Sequence, residues 1–266
     1  MADARVALVT GGARGIGAAT VAQLCRDGYR VIAVDIAGTL EGAEGIEYEL
    51  STWADLQEVA AKYPGAAIPV AADVRDVEAL QAAADLAVER WGRLDVAVAA
   101  AAVIIGGKPL WETPSEHLQT LLDIDLVGVW NTASATVPHM LNGPDPQGCR
   151  FVAVASPAGI NGLFRLAGYN AAKHAVIGLV KGLAADLVGT GVTAVAVSPG
   201  STDTRMLKAT ADLYGLESVD EFIASSPIRR LLDPDELAAT IAFCCSLTGG
   251  VLNGSVVSAS GGFQGG

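Results

Sequence analysis

The sequence predicts an α/β protein: one doubly wound, seven-stranded parallel sheet with helices on both faces. Three observations predict it. Short apolar runs alternate with longer stretches of helical period along the whole chain. The runs are apolar throughout rather than on alternate residues, as strands covered on both faces are. The 266 residues are 51% hydrophobic but only 5% aromatic, so small side chains must do the packing, which lets helices lie close on a sheet.

The first strand is expected at 5–10, a run ending in Gly-Gly. A helix follows at 15–27, closed by Gly28, and a second strand at 30–35. Further strands are expected at 68–72, 94–101, 150–155, 192–198 and 255–259, with helices at 52–62, 77–91, 115–140, 168–188 and 234–247. Asp76, Ser115 and Asp233 fit as N-caps, because a short oxygen-bearing side chain there accepts from free N–H groups of the first turn. Residues 38–50 are rich in Gly and Glu and read as a surface insertion; residues 201–232 lack periodicity and read as a lid. With no repeat, linker or low-complexity tract, 1–266 reads as one domain.

A net charge of −12 repels phosphate backbones, and scattered basic residues offer no patch for an anionic membrane, so nucleic-acid and membrane partners are not expected. The longest apolar run, 96–105, is far short of the roughly 20 residues that span a bilayer. No basic segment precedes a cleavable apolar stretch at the start, which reads as a cytoplasmic protein. Cys25, Cys149, Cys244 and Cys245 form no C-x-x-C and read as reduced buried thiols; His117, His139 and His174 lack metal-ligand spacing, so no metal is expected.

The segment TGGARGIG, Thr10 to Gly17, lies between a strand and a helix. Gly11, Gly15 and Gly17 allow a tight turn and close approach of backbone to a pyrophosphate, which the helix N-terminus attracts through its free N–H groups and dipole. Asp35 ends the second strand, 18 positions after Gly17. A carboxylate there accepts from both hydroxyls of an adenosine ribose and repels a 2′-phosphate, which points to NAD over NADP. Arg14 points the other way, since a base beside the turn could pair with that phosphate. Asp73, at the end of the third strand, is placed to meet an adenine edge.

Tyr169-Asn-Ala-Ala-Lys173 falls on a helix, where positions i and i+4 share one face. The Lys173 ammonium then favours the Tyr169 phenolate, fitting the phenol to exchange a proton with an alcohol or ketone oxygen. Ser156, after a strand and 13 residues upstream, could hold that oxygen.

Taken together, TGGARGIG, Asp35, Asp73-Val74, Ser156, YNAAK and Ser198-Pro-Gly200 resemble the short-chain dehydrogenase/reductase family over essentially the whole chain, and imply its Rossmann fold. The resemblance implies Ser156, Tyr169 and Lys173 as catalytic residues, with Asp125 at the position of a proton-relay asparagine that acts through its main chain. It implies a dinucleotide held along Gly11, Arg14, Gly15, Ile16, Gly17, Asp35, Asp73, Val74, Ala100, Ala101, Tyr169, Lys173, Pro199, Gly200, Thr202 and Thr204. Two departures stand out. Ala99–Ala102 replaces the usual Asn-Asn-Ala-Gly, removing side-chain amides that brace the sheet, and Asp125 replaces asparagine. The extra residues after Asp35, the Ala-rich fourth strand and Gly261-Gly-Phe263 are similar to the mycofactocin-associated subgroup. That similarity implies a tightly held NAD and electron transfer to a peptide-derived redox carrier.

The substrate pocket is expected from Ile104, Ile105, Trp111, Pro157, Ile160, Phe164, Met206, Leu207 and Leu213. This apolar set suits a hydrophobic secondary alcohol or its ketone, with Arg165 and Arg205 as solvated neighbours. An NADP-dependent 3-oxoacyl-type reductase shares the Ser/Tyr/Lys set but conflicts with Asp35 and the acidic surface; a silent dinucleotide-binding protein leaves that set unexplained. Sugar epimerases and dehydratases have another glycine spacing and a longer C-terminal part. Helices 115–140 and 168–188 carry more apolar surface than one sheet face covers, and relatives pair them between subunits, so a homotetramer is expected.

Overall fold

The computed structural model describes residues 4–263 apart from residue 39; the start of the chain and one residue of the 38–50 insertion thus lie outside the described residues. Seven parallel strands, β1 (Val6–Thr10), β2 (Arg30–Asp35), β3 (Ala67–Ala71), β4 (Val96–Ala99), β5 (Arg150–Val154), β6 (Thr193–Pro199) and β7 (Val256–Ala259), form one sheet in the order β3-β2-β1-β4-β5-β6-β7. The chain runs outward from β1 to β3, then returns to pair β4 against the other side of β1. Thr10 therefore aligns with both Val34 and Ala99. That reversal of order leaves a crevice at the carboxyl ends of β1 and β4.

Among the described residues eight α-helices cover the sheet: α1 (Gly15–Arg26), α2 (Trp53–Ala61), α3 (Val77–Trp91), α4 (Ser115–Leu121), α5 (Gly128–Asn142), α6 (Ala167–Asp186), α7 (Arg205–Tyr214) and α8 (Pro234–Cys245). Alternation of side chains along each strand sends residues to both faces. Ala7 and Val9 of β1, with Val31 and Ala33 of β2, meet Val21 and Leu24 of α1, Leu56 of α2 and Ile241 of α8. Val6, Leu8, Ile32 and Val34 meet Leu80, Ala83, Ala84 and Ala87 of α3. Further along the second face, Ala97, Ala99, Phe151 and Ala153 pack on Val129 and Ala133 of α5 and on Val176 and Val180 of α6. Small residues on the faces turned to the sheet, Ala83, Ala84 and Ala87 of α3 and Ala133 of α5, let these helices sit close.

The expected helix at 115–140 is not one α-helix. α4 and α5 are joined by a π-helical stretch, Leu122–Val127, which carries Asp125. Such a turn admits an extra residue and rotates the side chains that follow, a change that hydrophobic period cannot reveal. The lid at 201–232 contains α7 and a 3₁₀ segment, Val219–Ser225. β4 is shorter than expected because Ala100 and Ala101 leave the ladder; Thr10 Oγ1 instead accepts from their N–H groups at 3.1 and 3.3 Å. That bond braces the strand end where side-chain amides are missing.

Asp76 caps α3 by accepting from Glu78 N and Ala79 N, each at 3.0 Å. Asp233 caps α8 within a reciprocal capping box with Glu236. Ser115 is not a cap: Pro114 occupies that position and the serine is the first helical residue. At the amino-terminal end of β5, buried Arg150 donates to the carbonyls of Gln147, Cys149, Ser246 and Leu247, at 2.7–3.1 Å, tying β5 to the end of α8.

Among the described residues no helix is long and apolar enough to cross a membrane, and no cluster of three His, Cys, Asp or Glu side chains is arranged to hold a metal. Burial pushes the thiols of Cys25 and Cys244 up to about 11 and that of Cys149 to about 12, and raises Cys245 further. A thiol is reactive as its thiolate. At about pH 8, Ellman's reagent is therefore expected to find no fast-reacting thiol in the native protein and all four after denaturation. Rapid stoichiometric labelling of the native fold would contradict this packing.

Candidate active site

A cleft of about 690 Å³ runs along the carboxyl ends of the strands. The β1–α1 turn forms one wall. Gly11 has φ +68°, and a Cβ there would meet Ala101 N at 2.7 Å and Ala100 C at 2.9 Å; a Cβ on Gly17 would overlap the Gly11 carbonyl. These glycines let three backbone segments converge, which is the shape a pyrophosphate needs. Arg14, at the N-cap of α1, makes no side-chain cap, and no acidic residue lies in the first turn, so the helix dipole faces the cleft uncompensated. Across the cleft, Thr204 caps α7 by accepting from Leu207 N at 3.2 Å. Its methyl lies 3.3 Å from where a Gly15 Cβ would be.

Asp35 is buried and its carboxylate is already used. It accepts from Ala13 N at 3.0 Å, from Ile36 N at 2.8 Å and from the Ser51 hydroxyl. Arg14 is engaged by the insertion and by α2. It donates to the carbonyls of Glu49 (3.1 Å) and Leu50 (2.8 Å) and pairs with Asp55 at 2.7 Å. Asp73 is held by Arg75 in a forked pair at 2.6 Å, and Arg75 also donates to Glu41 O at 3.1 Å. Arg14 and Arg75 thus both bind the backbone of the insertion.

The insertion is a strap across the cleft. Leu40, Ile46, Tyr48 and Leu50 pack on the core that holds Val74 and Ile104. Gly45 comes so close to α4 that a Cβ would meet the His117 ring at 2.7 Å. The Tyr48 hydroxyl accepts from Ile104 N at 3.1 Å, and burial raises that phenol well above its ordinary value, with Asp125 and Tyr169 adding to the effect. Tyr48 was not legible in the sequence. It stands alone among glycines and glutamates, and only its contact across 56 positions brings it to the site.

Ser156, Tyr169 and Lys173 meet at the floor of the cleft. The short 3₁₀ turn Pro157–Gly159 is capped by Ser156, whose Oγ accepts from Ala158 N at 3.2 Å. α6 presents Tyr169 and Lys173 on one face, with Nζ 5.6 Å from the centre of the Tyr169 ring. Nζ reaches Val154 O at 3.4 Å and Asp125 Oδ2 at 3.4 Å. Asp125 has no exposed surface; its Oδ1 accepts from Val103 N at 2.8 Å, while Oδ2 has no aligned hydrogen-bond donor. Burial raises the Tyr169 phenol; Lys173 and a hydrogen bond to Ser156 oppose this and Asp125 reinforces it. Burial works against the Lys173 charge, but Asp125 and Tyr169 outweigh it, and the ammonium is held. Burial raises the Asp125 carboxyl against the pull of Lys173.

Of the expected cofactor residues, the glycines, Arg14, Ile16, Asp35, Asp73, Val74, Ala100, Ala101, Pro199, Gly200, Thr202 and Thr204 all line the cleft, as do Ser156, Tyr169 and Lys173. Ile104, Pro157, Phe164, Met206 and Leu207 line its apolar end. Trp111 does not: it sits on the 3₁₀ turn Leu110–Glu112 and is 82% exposed, because that turn is too short to bury either face. Asp125, Ile105, Ile160 and Leu213 also lie outside the lining, whereas Tyr214, Phe222 and Phe263 join it. Tyr214 ties the end of α7 to the segment before α6 by donating to Phe164 O at 2.6 Å.

Residues 11–264 match the family profile described as Enoyl-(Acyl carrier protein) reductase. An uncharacterised NAD-dependent oxidoreductase of Mycobacterium tuberculosis is 32% identical over 95% of this chain and 93% of that protein. The chain belongs to the short-chain dehydrogenase/reductase family. (−)-trans-Carveol dehydrogenase of Rhodococcus erythropolis is 36% identical over 77% of this chain and 74% of its own. The crystal structure of carveol dehydrogenase from Mycobacterium avium in complex with NAD superposes with a TM-score of 0.89 at 31% identity, covering 98% of each chain.

Gly17→Ala tests the turn. Its methyl would collide with the Gly11 carbonyl, backbone that cannot yield cheaply. A loss of about 1–3 kcal/mol in stability is expected, with dinucleotide affinity down at least about tenfold in calorimetric titration. Unchanged affinity would mean that the turn does not hold the pyrophosphate.

Proposed function

We propose that this chain interconverts hydrophobic secondary alcohols and ketones, with Tyr169 exchanging the proton. The reading is carried by the meeting of Ser156, Tyr169 and Lys173 where the dinucleotide cleft opens into its apolar end. The coarser statement stands without the substrate: the chain is an NAD-dependent oxidoreductase of the short-chain family. The cofactor fits on structural grounds. Glycine-only contacts leave room for a pyrophosphate, the Asp35 carboxylate opposes a 2′-phosphate, and Arg14 is committed to the strap.

NAD, when bound, supplies the hydride acceptor at its nicotinamide. Everything else falls to the chain. Gly11–Gly17 and the start of α1 would hold the pyrophosphate, and Asp35 and Asp73 would bind the adenosine half. Ser156 donates to the substrate oxygen and orients the carbinol carbon. Tyr169 takes the hydroxyl proton as the carbon is oxidised, and returns one in the reverse direction. Lys173 stabilises the phenolate and would hold the nicotinamide ribose of a bound NAD. Apolar walls from Ile104, Phe164, Met206 and Leu207 favour uncharged substrates.

The strap supports a second element of the proposal, a slowly exchanging cofactor as in the mycofactocin-associated subgroup, with a peptide-derived carrier as electron acceptor. Three latches hold it: Arg14 on Glu49 and Leu50, Arg75 on Glu41, and Ile104 N on Tyr48. Trp130 (62% exposed) and Val127 on the outer face around α5 fit the subunit contact of a homotetramer. The family profile's description keeps an NADP-dependent acyl-type reductase in view. Preference for NADP and turnover of an acyl thioester would establish it.

Two experiments test the reading. Tyr169→Phe is expected to cut turnover of secondary alcohols at least about 100-fold while NAD binding stays within a few-fold; retained turnover would remove Tyr169 from the chemistry. Tyr48→Phe keeps the ring but loses the acceptor for Ile104 N. It is expected to speed NAD release by about tenfold, equivalent to one modest hydrogen bond. Wild-type protein that purifies without nucleotide and exchanges NAD rapidly would sink the slow-exchange element.

A further inference from the structure

We propose that Asp125 is a positioning residue: set behind Lys173, its carboxylate makes the Tyr169–Lys173 pair hold its proton more tightly than an amide would, and so sets the pH range of catalysis. The inference rests on the dehydrogenase reading, which assigns proton transfer to Tyr169.

The geometry carries it. The π-helical turn Leu122–Val127 aims Asp125 inward, where it has no access to water. Val103 N–H fixes Oδ1 at 2.8 Å, and Oδ2 faces Nζ at 3.4 Å without another partner. The same ammonium stands 5.6 Å from the Tyr169 ring. One cation is therefore shared between a carboxylate and the phenol that needs it.

Counting charge shows the consequence. With an amide at 125, the protonated pair carries one positive charge in a buried space, and losing a proton relieves it. With a carboxylate, the protonated set is neutral, and losing a proton leaves a net negative charge out of reach of water. The second loss is the harder one. The groups facing the pair are few: Asp125 from the π turn, Tyr48 from the strap and the Ser156 hydroxyl, with the Val154 carbonyl on Nζ. Only Asp125 among them carries a charge. The raised proton affinity of Tyr169 agrees in sign. Because Tyr169 and Lys173 interact strongly, the value that matters belongs to the pair. Oxidation of an alcohol needs the deprotonated pair and rises with pH through that value. Reduction of a ketone needs the protonated pair and persists up to it. Asp125 moves both limbs toward alkaline pH.

Asp125→Asn is the test, since it conserves volume and the acceptor for Val103 N–H. The half-maximal pH of alcohol oxidation is expected to fall by about one unit or more, a tenfold change in proton affinity. KM for the alcohol should hardly move. Overlapping pH profiles would reduce Asp125 to a core acceptor and overturn the proposal. An independent readout needs no substrate: 13C NMR of the tyrosine ring in NAD-free protein, with Tyr169 assigned through Tyr169→Phe. Its phenol is expected to stay protonated through about pH 9 in the wild type and to ionise earlier in the variant. Should Asp125→Asn fail to fold, ionisation of wild-type Tyr169 below about pH 8 would by itself overturn the proposal. If no alcohol turns over, the dehydrogenase reading fails while this titration still decides the role of Asp125.

Discussion

The pairing of β1 between β2 and β4 governs everything else in the molecule. Because these strands are parallel and in register, Thr10, Asp35 and Ala99 finish at one edge of the sheet. Because strand order reverses at that point, the loops leaving β1 and β4 diverge to opposite faces and cannot fill the space between them. The Gly11–Gly17 turn, the end of β4 and the Ser156 turn all open onto that space. Thr10 Oγ1, bonded to Ala100 N and Ala101 N, keeps β1 and β4 together at the crevice, where a frayed strand end would displace both the phosphate turn and the substrate wall.

The Asp35 carboxylate connects this edge to the strap. It holds the turn through Ala13 N and the far end of the insertion through Ser51, so one charged group fixes two walls. Arg14 does the same from the other side by donating to strap carbonyls and pairing with Asp55. Hydrogen bonds to ionised groups are stronger than neutral ones, and here they close a loop that its own glycine-rich sequence cannot order. Anchoring of the strap thus falls to Asp35 and Arg14, the two residues that the proposed preference for NAD also rests on.

At the floor of the cleft the governing fact is desolvation. Lys173, Asp125 and Tyr169 are all buried, and a lone charge there would be costly. The ammonium is kept by having a carboxylate on one side and a polarisable phenol on the other. A site arranged in this way stores its charge in a triad, and removing one member changes the proton affinity of the other two.

Much of this protein is written in the local sequence. Continuous apolar strands, helical periods and the caps at Asp76 and Asp233 determine an α/β sheet covered on both faces, since each is set by residues a few positions apart. The Gly11–Gly17 turn and Tyr169-x-x-x-Lys173 were legible for the same reason, since their spacing is that of one turn or one helix, and Asp35 and Ser156 were legible from their places at or just after the end of an apolar strand. What lies across the fold was not. The π turn that aims Asp125 at Lys173 leaves no trace in hydrophobic period, and the capture of Arg14 by strap carbonyls involves backbone atoms that every residue has. Trp111 looked like a pocket residue in the sequence and stands in solvent, whereas Tyr48, isolated in an unremarkable insertion, reaches Ile104. Local pattern decides which face of an element is apolar. Only tertiary packing decides which buried polar groups find one another, because that choice minimises unpaired charge over the whole structure rather than along any one segment.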